Sequence, residues 1–582
     1  MTTREEDIAE AIESAEEIPD PPPSMSGDKP RLLVDNSNPD RTVSALRDIL
    51  ADAGDLYDRG LPARLAFEQL RKGFIAHVLT PDSLVLLAHE HCRPYMVKEK
   101  KGALVEVDAR LPRALAVMYR DWHGEWRLPP LNGIATAPLL QGDGTINSRD
   151  GYDIASGLWC EKVPDLTGLI PERPTNDQAA AALHLIRSTF RTFCFADAET
   201  IDDSAARVPV TDLSRPPGQD ESSFLVALVT AVCRPSLYLA PGVLLRAAAV
   251  SGAGAGKGLL ARCISIIAFG HEPHAVTTGE TGAELEKRIA AELIQGGPVL
   301  FLDNLNNISF KSSLLASAIT ERPARVRILG RSEMVPLNSC AFVILTGNGL
   351  TVSEDLARRF IDIELDPRIE DPETRPFKGD IRNDVTSRRP ELLAALLTIW
   401  RWGRIATDLK VGLPLGSFSQ WCQWVRDPLL ALGCRDPVER VGEAKRRDSR
   451  RQVLADLFAV WWEKHGEQPV AASQLHDDVK RVADPQDRGR QYLAAQLEKF
   501  AGTRMAGFVL TRQESPGKWG VATYALRKTS GAEDHRDHRG PRASGPSNGH
   551  DAHSGNGHAT QTEGPEPPMP PMPSSTAWQT RL

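Results

Sequence analysis

Residues 243–258, VLLRAAAVSGAGAGKG, constrain this chain more than any other stretch, because an apolar run passes through a loop of small residues into a lysine and an amphipathic segment. Val243 to Val250 reads as a buried strand and Ser251 to Gly256 as a loop. Lys257 opens a helix whose apolar positions include Leu259, Leu260, Ile264 and Ile267. Strand, glycine loop and helix in direct succession predict an α/β domain built on a parallel sheet. The same turn supplies what a triphosphate needs: inward backbone N–H groups, glycines that admit a close approach, a helix N-terminus and one flexible ammonium. The candidate nucleotide-binding residues are therefore Ser251, Gly252, Ala253, Gly254, Ala255, Gly256, Lys257 and Gly258. The pattern GxxxxGK[ST] is met with two departures: Ser251 stands at the first glycine, and Gly258 stands where a hydroxyl would ligate Mg²⁺. Taken alone, the loop also reads as a tight strand-to-helix connection.

Further strands follow in the expected order. PVLFLDN carries Asp303 to the end of an apolar strand, the place from which a carboxylate orients Mg²⁺ through water. Asn304 follows it instead of a second acid, so the general base is unassigned, with Glu280 and Glu284 as candidates. AFVILTGN ends in Thr346 and Asn348, whose amide could lie beside a γ-phosphate; a plain polar strand end is the other reading. EDLARRF then places Arg358 and Arg359 on a helix facing away from their own loop, either paired with surface carboxylates or reaching a neighbouring subunit. Between the second and third strands, RVRILGRSEMVPL reads as a hairpin with a basic tip at Arg331, open between a solvated turn and a grip on a phosphate backbone.

At 582 residues the chain exceeds one core, and 41% hydrophobic with 25% charged residues is ordinary globular composition. The sequence predicts a disordered acidic leader (1–30), an α+β accessory domain (31–170), a helical lead-in (171–240), the α/β core (241–370), a helical region with a basic linker (371–450), a further module (451–528) and a Gly-, His- and Pro-rich disordered tail (529–582). The module at 451–528 has the order of a winged helix. Its presumed recognition helix carries Arg488, Arg490, Gln491 and Lys499, and its wing carries Arg512 and Lys518, for contact with DNA. A protein-docking winged helix is the alternative. No apolar run reaches the roughly 20 residues of a membrane span, and the eight cysteines form no CxxC pair, which points to a cytoplasmic protein with buried thiols. HEHC at 89–92 and HEPH at 271–274 are loose histidine runs read as solvated or capping residues. The net charge of −8 excludes a uniformly basic coat but not a basic face.

The series GAGAGKGLL, LFLDN, RILGRS, LTGNGL and DLARRF resembles the helicase-like ATPases of phage, plasmid and integrative-element replication proteins, in the AAA+ and superfamily 3 helicase group. YDRG near Tyr57, GYDIASGLW near Tyr152, IPERPT near Pro174 and WCQWVRDPLLALGCRDP after Trp421 extend the resemblance over about 30–530. It implies an AAA+ type P-loop NTPase core using ATP and Mg²⁺, working as a homo-oligomeric ring, a hexamer among the open sizes, on single-stranded or forked DNA. In that scheme Lys257 holds the phosphates, Asp303 holds Mg²⁺ through water, and Asn348 senses the γ-phosphate. Arg359 or Arg358 acts as the finger, and Arg331 touches DNA. No paired-acid primase site precedes the core, so primase or polymerase work would come from a separate chain. Two other readings stay open: a nucleotide-switched initiator or loader with weak hydrolysis, and an ATPase of a defence or regulatory system.

Overall fold

The computed structural model describes residues 29–69, 73–249, 252–277, 281–327, 334–377, 379–440, 449–513 and 522–529. Ser251, Glu280, Arg331 and Lys518 therefore lie outside the described residues. The centre is a five-stranded sheet. Its strands are β1 (Gly242–Ala247), β2 (Ala275–Val276), β3 (Val299–Leu302), β4 (Phe342–Asn348) and β5 (Phe360–Glu364). They lie side by side as β2-β3-β4-β1-β5, all parallel. Burial on both faces explains the near-continuous apolar runs: Val243, Leu245, Phe301, Ile344 and Leu345 are fully buried. In register, Val243 lies opposite Ile344 on one side and Ile361 on the other. Gly242 is required at the start of β1, because a Cβ there would meet the Phe360 ring at 2.5 Å. The strand expected over 243–250 ends at Ala247, where the chain turns toward the glycine loop.

Helices cover the sheet. They are α1 (Asn176–Phe190), α2 (Gln219–Cys233), α3 (Lys257–Phe269), α4 (Gly282–Gln295) and α5 (Arg389–Ile405). α2 is buried on every side from Asp220 to Cys233, which is why its apolar residues show no single stripe. α1 starts in a capping box in which Thr175 and Gln178 satisfy each other's backbone N–H groups. It is tied to α2 by a buried bidentate pair, Arg187 to Glu221 at 2.7 and 3.0 Å. The lead-in expected to be helical also contains an antiparallel hairpin, Thr200–Asp203 with Val208–Thr211. The first of those strands is largely exposed and carries two aspartates, so no inward-facing alternation marked it.

The N-terminal portion is α+β. Arg31–Leu33, Arg93–Lys100 and Ala103–Asp108 form one small sheet, and Leu56–Asp58, Pro62–Glu68 and Gly73–Val78 form another. Helices Pro39–Asp52, Pro81–His91 and Arg113–Arg120 pack with them. One contiguous apolar cluster runs from Leu32 to Cys434, joining this portion to the central sheet. Arg59 fastens the two: its buried guanidinium donates to the carbonyls of Leu131 (2.8 Å) and Leu293 (2.6 Å) and to that of Ile294 at the end of α4. Burial pushes the Arg59 pKa down to about 10.

Residues 449–529 have a core of their own, built on Leu457, Phe458, Trp461, Val479, Leu497 and Leu526. The order is helix Ser449–His465, strand Val470–Ala471, helix Asp477–Ala483, helix Arg490–Phe500, and an antiparallel pair Phe508–Gln513 with Thr523–Lys528. The helix Asp477–Ala483 starts where the His476 side chain accepts the Asp478 N–H and caps it. Among the described residues no helix is long and apolar enough to cross a membrane.

Candidate nucleotide-binding site

The site is assembled at the C-terminal ends of β1, β3 and β4, three adjacent parallel strands. After β1 the backbone curls tightly: Gly254 has φ 71° and Gly256 φ 93°, both left-handed, where a side chain would be strained. Gly252 is fixed by space, since a Cβ there would lie 2.2 Å from the Ala248 carbonyl oxygen. Gly256 then caps α3 without any side-chain hydrogen bond. The capping side chains of Thr175 and Thr281 satisfy donors at the starts of α1 and α4, whereas Gly256 brings no capping side chain to the first N–H groups of α3.

Lys257 is the first residue of α3. Its ammonium donates to the Gly252 carbonyl at 2.8 Å and to the Asn348 side-chain oxygen, so it spans from the loop to the end of β4. Burial holds its pKa below the ordinary lysine value, an effect opposed by the nearby Asp303 carboxylate and Cys194. Asp303 follows β3 and is aimed by two donors: the buried Thr346 hydroxyl and the Asn304 N–H at 3.1 Å. Asn304 takes a left-handed φ of 61°, and its N–H also lies 3.2 Å from the Thr346 oxygen. Asn348 donates its backbone N–H to Asn306 at 2.7 Å, and Asn307 donates to the Asn348 carbonyl at 2.8 Å. The segment after Asp303 is thus stitched to β4, and Lys257, Asp303, Thr346 and Asn348 form one polar cluster.

The structure adds residues that no motif announced. Phe193 lies under the loop, 3.5 Å from where a Cβ of Gly256 would be, and Cys194 donates to the Ala255 carbonyl at 3.5 Å. Glu373 rests on the outer turn, its carboxylate 3.2 Å from the Cβ position of Gly254. Arg375 links this segment back to the Thr192 carbonyl at 3.1 Å. Arg262, one helical turn beyond Gly258, lies with its guanidinium 4.0 Å from Asp303. Its spacing from Gly258 was the available signal, because i and i+4 share a helix face. Glu284 is engaged by Lys287 at 3.5 Å and Arg288 at 3.8 Å. Glu286 instead lines a cavity of about 380 Å³ together with Asn304, Asn306 and Lys311.

No protein-family model matches the chain. No curated protein matches it either. Among solved structures, the chain is similar to the A form apo structure of the NrS-1 C-terminal region, with a TM-score of 0.31 and 13% identity over 83% of this chain and 98% of that one. A second structure of that region gives a TM-score of 0.32 and 10% identity over 83% and 99% of the two chains. SCCmec type IV Cch, described as an active helicase, gives 0.29 and 10% over 82% and 97%. At these scores the likeness carries no argument, so the chemistry has to be read from the site's own residues.

Other sequence-predicted residues lie elsewhere. Arg358 and Arg359 immediately precede β5, at the N-terminal edge of the sheet and therefore at the opposite end from the glycine loop. Both bond Asp355, at 2.6 and 3.0 Å, and Arg358 is about half exposed. Ala324–Arg327 and Met334–Leu337 pair as an antiparallel hairpin that precedes β4; the tip with Arg331 is outside the described residues. Arg490 and Lys499 are exposed on the helix Arg490–Phe500, whereas Arg488, expected on the same helix, is exposed just ahead of it, because the chain turns at Gly489 with φ 95° before the helix starts; Arg512 sits 3.4 Å from Glu498. Among the described residues no group of three or more His, Cys, Asp or Glu could hold a metal ion.

Proposed function

We propose that this protein is an ATP-driven DNA motor: an AAA+ or superfamily 3 type P-loop ATPase that unwinds or translocates on DNA as a homo-oligomeric ring in the replication of a mobile genetic element. The observation that carries the reading is the convergence of Lys257, Asp303 and Asn348 at the ends of β1, β3 and β4, above the uncapped start of α3. It is further supported by the position of β4 between the loop strand and the acid strand, where the Asn348 side-chain oxygen accepts from Lys257. In this mechanism Lys257 and the α3 N-terminus bind the phosphates, and Asn348 positions the attacking water. Mg²⁺ fits the donor set in one way. Asp303 supplies a single carboxylate whose Oδ1 is fixed by Thr346 and Asn304, so the ion would keep most of its waters and take its remaining oxygens from phosphate. The ion would neutralise charge developing on the transferred phosphoryl group.

Arg359 or Arg358, remote from its own loop, would serve a neighbouring subunit as a finger contributing about 10³ to 10⁵ in rate. The hairpin before β4 would carry Arg331 to DNA. The C-terminal unit would act as a winged helix, contacting phosphates through Arg488, Arg490, Lys499, Arg512 and Lys518. Asn304 in place of a second acid favours one rival, a nucleotide-switched DNA binder with weak turnover. Strand separation on a forked DNA substrate distinguishes them. The motor predicts displacement with ATP, none with a non-hydrolysable analogue, and none from Lys257→Ala. ATP binding without displacement or turnover would replace the motor by the switch.

A further inference from the structure

Gly258 lies beside a cation from its own helix. A Cβ built on it would lie 2.8 Å from an Arg262 guanidinium nitrogen and 3.9 Å from Asp303 Oδ1. The space next to Gly258, toward Asp303, thus holds the movable end of a side chain from the next turn of α3. The guanidinium is held only by long contacts: its Nε lies 3.3 Å from Glu272, another nitrogen lies 4.0 Å from Asp303 Oδ2, and it stands 5.8 Å from the centre of the buried Phe301 ring. About a third of its side chain stays accessible. A planar fork with several donors matches phosphate oxygens far better than it matches a carboxylate at 4.0 Å.

We infer that Arg262 replaces the missing loop hydroxyl as a cis-acting phosphate-positioning residue, holding the terminal phosphates of ATP beside Asp303 across the open face of Gly258. The inference rests on the nucleotide-binding reading above. Because the protein supplies its own cation at this point, nucleotide binding depends less on Mg²⁺ than it would with a metal-ligating hydroxyl. The guanidinium also favours triphosphate over diphosphate. Glu272, 3.3 Å from the Arg262 Nε, is itself 3.6 Å from Arg382.

The test is equilibrium binding of fluorescent ATP and ADP analogues to the full chain, in Mg²⁺ and in EDTA. It compares the parent with Arg262→Ala, Arg262→Lys and Lys257→Ala. A charge-assisted bond to phosphate corresponds to about ten-fold in affinity. Arg262→Ala should lose about that factor for the ATP analogue, most in EDTA where no ion compensates, and less for the ADP analogue. Arg262→Lys should recover part of the loss. If Arg262→Ala binds both analogues as the parent does, with the same Mg²⁺ ratio, while Lys257→Ala does not bind, the site stands and Arg262 is only an ion-pair partner of Glu272. If the parent binds neither analogue, the nucleotide reading falls and this inference falls with it.

Discussion

At the scale of single residues, the site turns on how one ammonium is held. Lys257 has its pKa lowered by burial, and it serves phosphate only while charged. As pH rises it therefore loses its proton earlier than an ordinary lysine, and the alkaline limb of kcat/KM for ATP should begin below the usual lysine range; a limb at or above that range contradicts this. Lys257, Asp303 and Asn348 were legible in the sequence because each ends or follows an apolar strand, and parallel strands bring such ends to one edge. Arg262 was marked only by its i, i+4 spacing from Gly258, and Glu373 was not legible, since its approach to Gly254 depends on the path of a non-repetitive segment. Glu284, a candidate base from position alone, is engaged by Lys287 and Arg288 at the start of α4.

At the scale of elements, the helices that flank the sheet are set by caps and by one buried ion pair. Thr175→Ala removes the acceptor for the Gln178 N–H and should cost about 1 kcal/mol in chemical denaturation of the unit that contains α1. Arg187→Ala leaves Glu221, only 3% exposed, without its bidentate partner and should cost about 3–5 kcal/mol, while a swap of both to apolar residues should cost far less. Equal losses for the single and double changes would contradict a desolvated pair. Elements with apolar residues at 3.6-residue periodicity, such as α1, α3 and α5, were legible at this scale, and α1 carries a capping box as well. Pro62–Glu68 and Thr200–Asp203 were not, because their pairing partners rather than any inward alternation make them strands.

At the scale of the whole molecule, the two largest apolar cores among the described residues are separate, one from Leu32 to Cys434 and one from Leu454 to Leu526, with two smaller clusters around Leu158 and Tyr57. Leu497 is fully buried in the second, so Leu497→Ala should destabilise that unit by about 2–5 kcal/mol and lower one thermal transition while leaving basal ATP turnover intact. A single transition that moves as a whole would instead mean that the two cores unfold together. The proposed division of labour, nucleotide at the central sheet and DNA at the C-terminal unit, makes DNA-dependent turnover the central claim. The decisive measurement is steady-state ATPase activity of the purified chain with and without single-stranded DNA, beside Lys257→Ala. A motor predicts turnover that rises with DNA and falls about 100-fold or more in the variant, the scale expected for losing one transition-state contact. Turnover that is absent, indifferent to DNA or unchanged in Lys257→Ala would contradict it.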